Sequence, residues 1–576
     1  MKLQTIPTRT TKVAFTLFGV ISAAAVQCPA AGNFLPAQRK PNLIFILTDD
    51  QRFDSLGCTG NPVVKTPNID RLAAEGTLFT ETTVTSPLCT PSRASIFTGM
   101  YERRHGINFN SGTSLSPAAW QQTYPILLRK AGYFVGYVGK NHVPVGAKGY
   151  ETGLMDASFD FWYAGHEHLL FYPKNRPDWA LRVKGIDEHM FDNAKADTQV
   201  EIIQEGVRNF LNPNQEFYDH AARFLEKRPK DRPFCLSVCF NLPHDAGTGN
   251  MQDRPSDPEL YKSGYRDQKA AITAGLPSTY TAKADIKIPK LPADVLYAQY
   301  RTGYDYVDTP ETMVERITRR YQAITGMDQM LGALRTQLKE QGLTDNTVII
   351  FTSDHGLMHG EFGLGGKGLN YDTCLKVPLI VYDPSSKAKG QCRTEQVQTI
   401  DVTATLLDYA GLKVPQSMSG TSLIPLVHGQ IIPWREYAFS ENLWCTRFGN
   451  PRIESVRGKG WKYIRYFKND YSLFAGMTDK AQQRVTNRQA QAYQAWLDAS
   501  INGEPPVYEE LFKLDQDPGE TTNLAADPKF ADRLNELRNV CSRMVREARG
   551  EPSVRPSVLE LESERLDHYL KNPKQD

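Results

Sequence analysis

The stretch Cys89-Thr90-Pro91-Ser92-Arg93 carries more chemistry than any other part of this chain. Its spacing predicts a short helix with a thiol at the mouth. Thr90 suits the N-cap, Pro91 the first helical position, where a missing N–H costs nothing, and Arg93 falls within the first turn. Backbone N–H groups and the positive end of the helix dipole would face whatever binds at Cys89. Such a site favours a tetrahedral oxyanion.

Two acidic clusters lie far from this segment and from each other: Asp49-Asp50 and Ser353-Asp354-His355-Gly356. Adjacent carboxylates repel, so they call for a cation or a raised pKa. Asp49, Asp50, Asp354 and His355, gathered beside Cys89, would suit Ca²⁺ or Mg²⁺, with Ca²⁺ the more tolerant of irregular geometry. Three further segments bring charge: Gly139-Lys140-Asn141-His142, Asn241-Leu242-Pro243-His244-Asp245 and Gly365-Gly366-Lys367-Gly368. Taken singly, each also fits a bland role as a turn, a loop hydrogen-bond pair or a solvated charge. Placement directly after apolar strands is what most of them share.

Those strands must position the set. Asn42–Thr48, Tyr133–Val138, Phe234–Phe240 and Thr347–Thr352 are short apolar runs of the kind buried on both faces of a parallel sheet. Helices are predicted from Thr66 to Gly76, over 123–130, and through Ile317, Tyr321, Ile324, Leu331, Leu334 and Leu338 to Gly342. The alternation predicts an α/β fold, a large helix-flanked and mostly parallel sheet, which binds ligands at the carboxyl ends of its strands. Beyond Val427 the pattern changes to strands near 456–467 and 508–514 and a closing helix started by Asp527-Pro528 and stopped by Gly550. Residues 38–427 are thus expected as the main domain and 428–576 as a smaller antiparallel-sheet-plus-helix subdomain. Residues 145–225 and 245–310 read as insertions over the ligand-binding edge.

At 576 residues the chain is long enough for two such units. A formal net charge of +2 provides no overall steering toward nucleic acid or membrane, so attraction for a polyanion must be local. Lys2, Arg9 and Lys12 precede an apolar run, Val13 to Val26, with Ala23-Ala24-Ala25 as a small-residue cleavage site. This layout predicts a secretory signal peptide over about 1–31 rather than a membrane span, and hence export to a periplasm or the exterior. Nine cysteines at irregular spacing fit neither a disulfide scaffold nor a zinc site.

The C-x-P-S-R helix, the acidic pair, G-K-x-H, the histidine after a buried strand, S-D-H-G and the glycine-flanked lysine together resemble the type I sulfatase family, over about Pro41 to Pro384. Tyr508 to Leu524 resembles that family's C-terminal subdomain. The resemblance implies an alkaline-phosphatase-like fold, conversion of Cys89 to formylglycine (3-oxoalanine) by a sulfatase-maturing enzyme, and a bound Ca²⁺ held by Asp49, Asp50, modified Cys89, Asp354 and His355. It further implies that the hydrated aldehyde attacks the sulfate ester with Asp354 as proton acceptor. His244 and Lys367 would assist the departing oxygen, His142 would release the sulfate, and Lys140 and Arg93 would stabilise negative charge. Phe97 stands where the signature commonly has leucine, and His355 where many relatives have asparagine.

An exported sulfatase needs an abundant sulfate ester, and a sulfated oligosaccharide or polysaccharide, from glycosaminoglycan or algal sources, is the expected substrate. Arg104 and His105 are candidates to meet a second anionic group. Trp162, Tyr163, Tyr172, Trp179, Arg182 and Tyr300 are candidates to stack and pair with sugars. Two other functions fit parts of the pattern: a phosphodiesterase or phosphonate monoester hydrolase of the same superfamily, and a silent sulfated-glycan-binding protein.

Overall fold

The computed structural model describes residues 40–109, 111–147, 149–166, 218–244, 259–287, 290–292, 295, 309–444, 451–474, 487–551 and 557–559. The expected signal segment and most of the first expected insertion, 145–225, lie outside these residues, as does nearly half of the second, 245–310. Lys40–Asp576 forms one compact unit. Among the described residues, no helix is long and apolar enough to cross a membrane.

An eight-stranded sheet organises the chain. Its strands are β1 (Asn42–Thr48), β2 (Thr77–Phe79), β3 (Phe134–Asn141), β4 (Phe161–His166), β5 (Phe234–Cys239), β6 (Thr347–Ser353), β7 (Leu379–Tyr382) and β8 (Gln391–Arg393), in the spatial order β8-β2-β7-β6-β1-β5-β3-β4. From β6 to β4 all neighbours run parallel, whereas β7 is antiparallel to both β6 and β2. In β1 all seven residues are buried, as a strand covered on both faces requires. Alternation splits that strand between two cores. Ile44 and Ile46 join one face with Ile69, Leu72, Ile324 and Leu334. Leu43, Phe45 and Leu47 join the other with Ile96, Phe97 and Leu406.

The first face is covered by α1 (Pro67–Glu75) and the 31-residue α5 (Pro310–Glu340). This long helix begins earlier than its apolar stripe predicts, because Thr309 caps it by accepting from the Thr312 N–H and Pro310 opens it. Asp328 of α5 accepts from the backbone N–H groups of Asn68 (2.9 Å) and Ile69 (2.7 Å), placing a carboxylate at the N-terminus of α1. The second face carries α2 (Cys89–Thr98), the short α3 (Glu102–His105), α4 (Tyr124–Lys130) and α7 (Ile400–Tyr409), with α6 (Asp372–Leu375) between β6 and β7.

The chain after 427 forms a four-stranded antiparallel sheet, β9 (Ala438–Asn442), β10 (Arg452–Gly458), β11 (Trp461–Phe467) and β12 (Tyr508–Lys513), in sequence order. Helix α8 (Ala531–Arg549) lays Leu534, Leu537, Cys541 and Val545 against Phe439, Val456, Tyr463 and Leu511, and Tyr101 and Ile400 enter the same cluster. Buried ion pairs join α3 to this sheet. The guanidinium of Arg103 donates to Glu441 at 2.7 Å and to Glu454 at 2.6 Å, all three side chains being fully buried.

Glu102, next to it, carries a testable consequence. Burial, then the neighbouring Glu441, pushes its carboxyl up to about 8, although Asn108, Tyr493 and the Leu443 N–H all donate to Oε1. A glutamate in the unfolded chain ionises near about 4.3. Between these values the folded protein keeps a proton that the unfolded chain has lost, so stability falls as pH rises from about 4.5 to about 8. Glu102→Gln keeps the three donors on Oε1 and removes this titration. The variant should gain on the order of a few kcal/mol over the wild type at pH 8 and little at pH 5, read from denaturant midpoints at the two pH values.

Candidate active site

The carboxyl ends of β1, β3, β5 and β6 bring the predicted residues together. Helix α2 starts at Cys89 itself, with Leu88 in extended conformation as the N-cap. Thr90 therefore does not cap, and Pro91 lies two residues deeper than expected. It still falls within the first turn, where no N–H is needed. The whole helix is buried, and Cys89 is 3 % exposed.

Around the thiol, Cys89 Sγ lies 2.9 Å from Lys367 Nζ, 3.2 Å from His355 Nε2 and 3.4 Å from Asp49 Oδ1. Lys367 Nζ also donates to Asp50 Oδ1 at 2.7 Å. Arg93 points back under the helix, donating to Asp354 Oδ2 at 2.8 Å, to Asp49 Oδ2 at 2.9 Å, and to the carbonyls of Lys140 and Phe240. It thereby ties β1, β3, β5 and β6 together at one point. Lys140 Nζ pairs with the same Asp49 Oδ2. Gly139 makes that lysine's approach feasible: its φ is +108°, and a Cβ there would lie 2.0 Å from the Cys239 carbonyl oxygen. His244 Nε2 lies 3.8 Å from Asp50 Oδ2, and its loop is anchored by the Asp49 N–H donating to the Leu242 carbonyl. The His142 ring packs edge-on to Phe109.

Electrostatics follow from this packing. Burial raises the Asp49 carboxyl, but Lys140 and Arg93 overcome it and hold the group well below the usual range. Burial likewise opposes Asp50, which Lys367, His244 and His355 pull down. Burial lowers His142 strongly, reinforced by Lys140 and Arg93, so its ring is a neutral acceptor at physiological pH. The Cys89 thiol is pushed far up by burial and by Asp49 and stays protonated, a poor nucleophile as it stands.

One ligand atom from each of Asp49, Asp50, Cys89 and His355 lies within 4.8 Å of the others. Nδ1 of His355 is 2.9 Å from the Gly356 carbonyl, which can only accept, so Nδ1 carries the proton and Nε2 presents its lone pair to the cluster. Asp354 Oδ1 is 3.6 Å from that Nε2, and its other oxygen is held by Arg93. Two to three carboxylates with one neutral imidazole fit a hard divalent cation. The charge balance agrees: Arg93, Lys140 and Lys367 already match Asp49, Asp50 and Asp354 three to three. A divalent ion would add positive charge to this pocket, which suits an anionic group.

Other expected contacts are corrected. His105 is fully buried beneath α2, accepting the Ile107 N–H on Nδ1 and facing Ser95 Oγ at 3.1 Å, and burial brings it down to about 3. It is a neutral structural group. Arg104 lies against Gly550 at the end of α8. Trp162 and Tyr163 are buried in β4, packed in the core rather than offered to a sugar. Tyr172, Trp179, Arg182 and Tyr300 lie outside the described residues. A cavity of about 610 Å³ between Phe53, Lys376 and Lys459 is lined by none of the residues around Cys89. Sequence reasoning missed Ser92, whose hydroxyl donates to the Asp354 carbonyl at 2.5 Å, and Arg320, which donates to the Asp50 carbonyl at 3.2 Å. Ser92 was visible within the motif, whereas nothing in the local sequence marks Arg320.

The sulfatase family profile matches residues 41–412. The chain belongs to the sulfatase family. Residues 360–501 also match the profile of the N-sulphoglucosamine sulphohydrolase C-terminal region. An arylsulfatase of Clostridium perfringens is 26 % identical over 89 % of this chain and 95 % of its own length. An N-acetylglucosamine-6-O-sulfatase of Bacteroides thetaiotaomicron is 27 % identical over 78 % of this chain and 82 % of its own. A solved structure in complex with its substrate, D-glucosamine-2-N,6-O-disulfate, shares the fold with a TM-score of 0.59 at 22 % identity, covering 89 % of this chain and 99 % of that one. This sulfatase is accordingly a sulfuric ester hydrolase.

Two outcomes are expected. Chelation should abolish sulfate release without unfolding the protein, since Arg93, Lys140 and Lys367 still pair with the buried carboxylates, and Ca²⁺ should restore it, as followed by sulfate assay and circular dichroism. Arg93→Ala strands two buried carboxylates and should cost about 3–5 kcal/mol in denaturant-measured stability as well as activity.

Proposed function

We propose that this sulfatase removes sulfate from glycosaminoglycan-type saccharides, using Cys89 in its formylglycine form and a bound Ca²⁺. The observation that carries the reading is the convergence on Cys89 Sγ of Lys367, His355 and Asp49 from separate strand ends. The match of residues 360–501 to an amino-sugar sulphohydrolase region, with the N-acetylglucosamine-6-O-sulfatase relative, supports the substrate class.

A formylglycine hydrate would supply an oxygen nucleophile and, through its second hydroxyl, a route to free the sulfate afterwards. Ca²⁺, held by Asp49, Asp50, Asp354 and His355, would supply positive charge at the transferring group. The chain's own residues do the rest. Arg93 fixes Asp49 and Asp354 in place, and the ammonium groups of Lys140 and Lys367 compensate negative charge on the transferring group. Lys367 Nζ holds protons within reach of the reacting side chain, and with His244 it serves the departing sugar oxygen. The neutral ring of His142 accepts a proton as sulfate leaves. The predicted leader over 1–31 supports action after export, with 38–427 as the catalytic part and 428–576 as a subdomain.

Cys89→Ala should fold normally and retain below about 0.1 % of wild-type sulfate release. Protein coexpressed with a sulfatase-maturing enzyme should release sulfate from defined glucosamine sulfates. Turnover of algal oligosaccharides alone would reassign the substrate, and cleavage of phosphonate esters in preference to sulfates would refute the reading.

A further inference from the structure

Consecutive side chains on an extended strand point to opposite faces, yet Asp49 and Asp50 both reach the cluster around Cys89. The backbone explains it. Asp50 has φ +59°, in the left-handed region that residues other than glycine adopt uncommonly. That turn redirects the second carboxylate beside the first. Strain of this kind persists only where surrounding contacts hold it, and three do so here. The Asp50 N–H donates to Asp354 Oδ1 at 3.3 Å, the Gln51 N–H donates to Ser353 Oγ at 3.1 Å, and Arg320 Nη1 donates to the Asp50 carbonyl at 3.2 Å.

The third contact comes from outside the active-site edge. Arg320 sits on α5, 270 residues along the chain, and is only 6 % exposed. Among the described residues no ion pair engages its guanidinium. A buried cation without a carboxylate partner is costly, and one beside a cation site is doubly so. Its one hydrogen bond to a described residue goes to the peptide whose conformation brings the two carboxylates together.

We propose that Arg320 is a positioning residue for the cation site, locking the Asp50 peptide in the conformation that points both carboxylates at one ion. The proposal rests on the reading that Asp49 and Asp50 hold Ca²⁺. It makes a prediction opposite in sign to simple electrostatics. Deleting a positive charge near a divalent ion should tighten binding by Coulomb's law, whereas loss of a group that orients a ligand weakens it by about 10–100-fold.

The test uses the full chain with Ca²⁺ alone as probe, measuring affinity by calorimetry and by the calcium-dependent shift in thermal midpoint. Arg320→Met should bind Ca²⁺ about 10–100-fold more weakly than wild type. Arg320→Lys, which keeps the charge but moves the donor, should fall between them. Equal or tighter binding by Arg320→Met overturns the positioning role while leaving the cation site standing. If that variant does not fold, Arg320→Lys decides alone, and wild-type affinity in it overturns the proposal. A wild-type protein without any calcium response overturns both the cation reading and this inference.

Discussion

The active-site edge depends on compensation of buried charge. Asp49, Asp50 and Asp354 are withdrawn from water at the ends of adjacent parallel strands, where a buried charge without a partner is costly. Arg93 pairs with two of them, bridging Asp49 after β1 to Asp354 after β6, and it spends its remaining donors on the carbonyls of Lys140 in β3 and Phe240 after β5. One side chain thus sets the spacing of four strand ends. The position of Cys89 follows, because Arg93 lies one helical turn after it.

The C-terminal sheet takes part in this arrangement from a distance. Asn442 at the end of β9 donates to the Gly368 carbonyl at 3.3 Å, beside Lys367, while the Gly368 N–H donates to the Pro87 carbonyl, two residues before Cys89. Asn108 bridges Asn442 to Glu102, and Arg103 is locked between Glu441 and Glu454. The turn that presents Lys367 is therefore clamped between the α2 approach and the smaller sheet.

Much of this was legible in the chain. Apolar runs ending in Asp49-Asp50 and in Ser353-Asp354-His355 announced both buried strands and the side chains at their ends, because burial on two faces leaves a plain hydrophobic signature. The details that escaped are those set by tertiary packing. His105 and Trp162 have the types expected of a ligand-binding surface, yet helix and sheet packing covers them completely. Thr90 has the composition of a cap, but the helix begins two residues earlier than that role requires. Arg320 pairs with a backbone carbonyl in another element, and a main-chain partner leaves no trace in residue type.

The burial of α2 bears on the chain's life before it is active. Sγ of Cys89 lies beneath a helix with no exposed residue, flanked by Lys367 and His355. On the proposed reading, in which Cys89 is converted to formylglycine, the folded molecule gives a second protein little access to that side chain. That conversion would then fall before the acidic strand ends close over the segment.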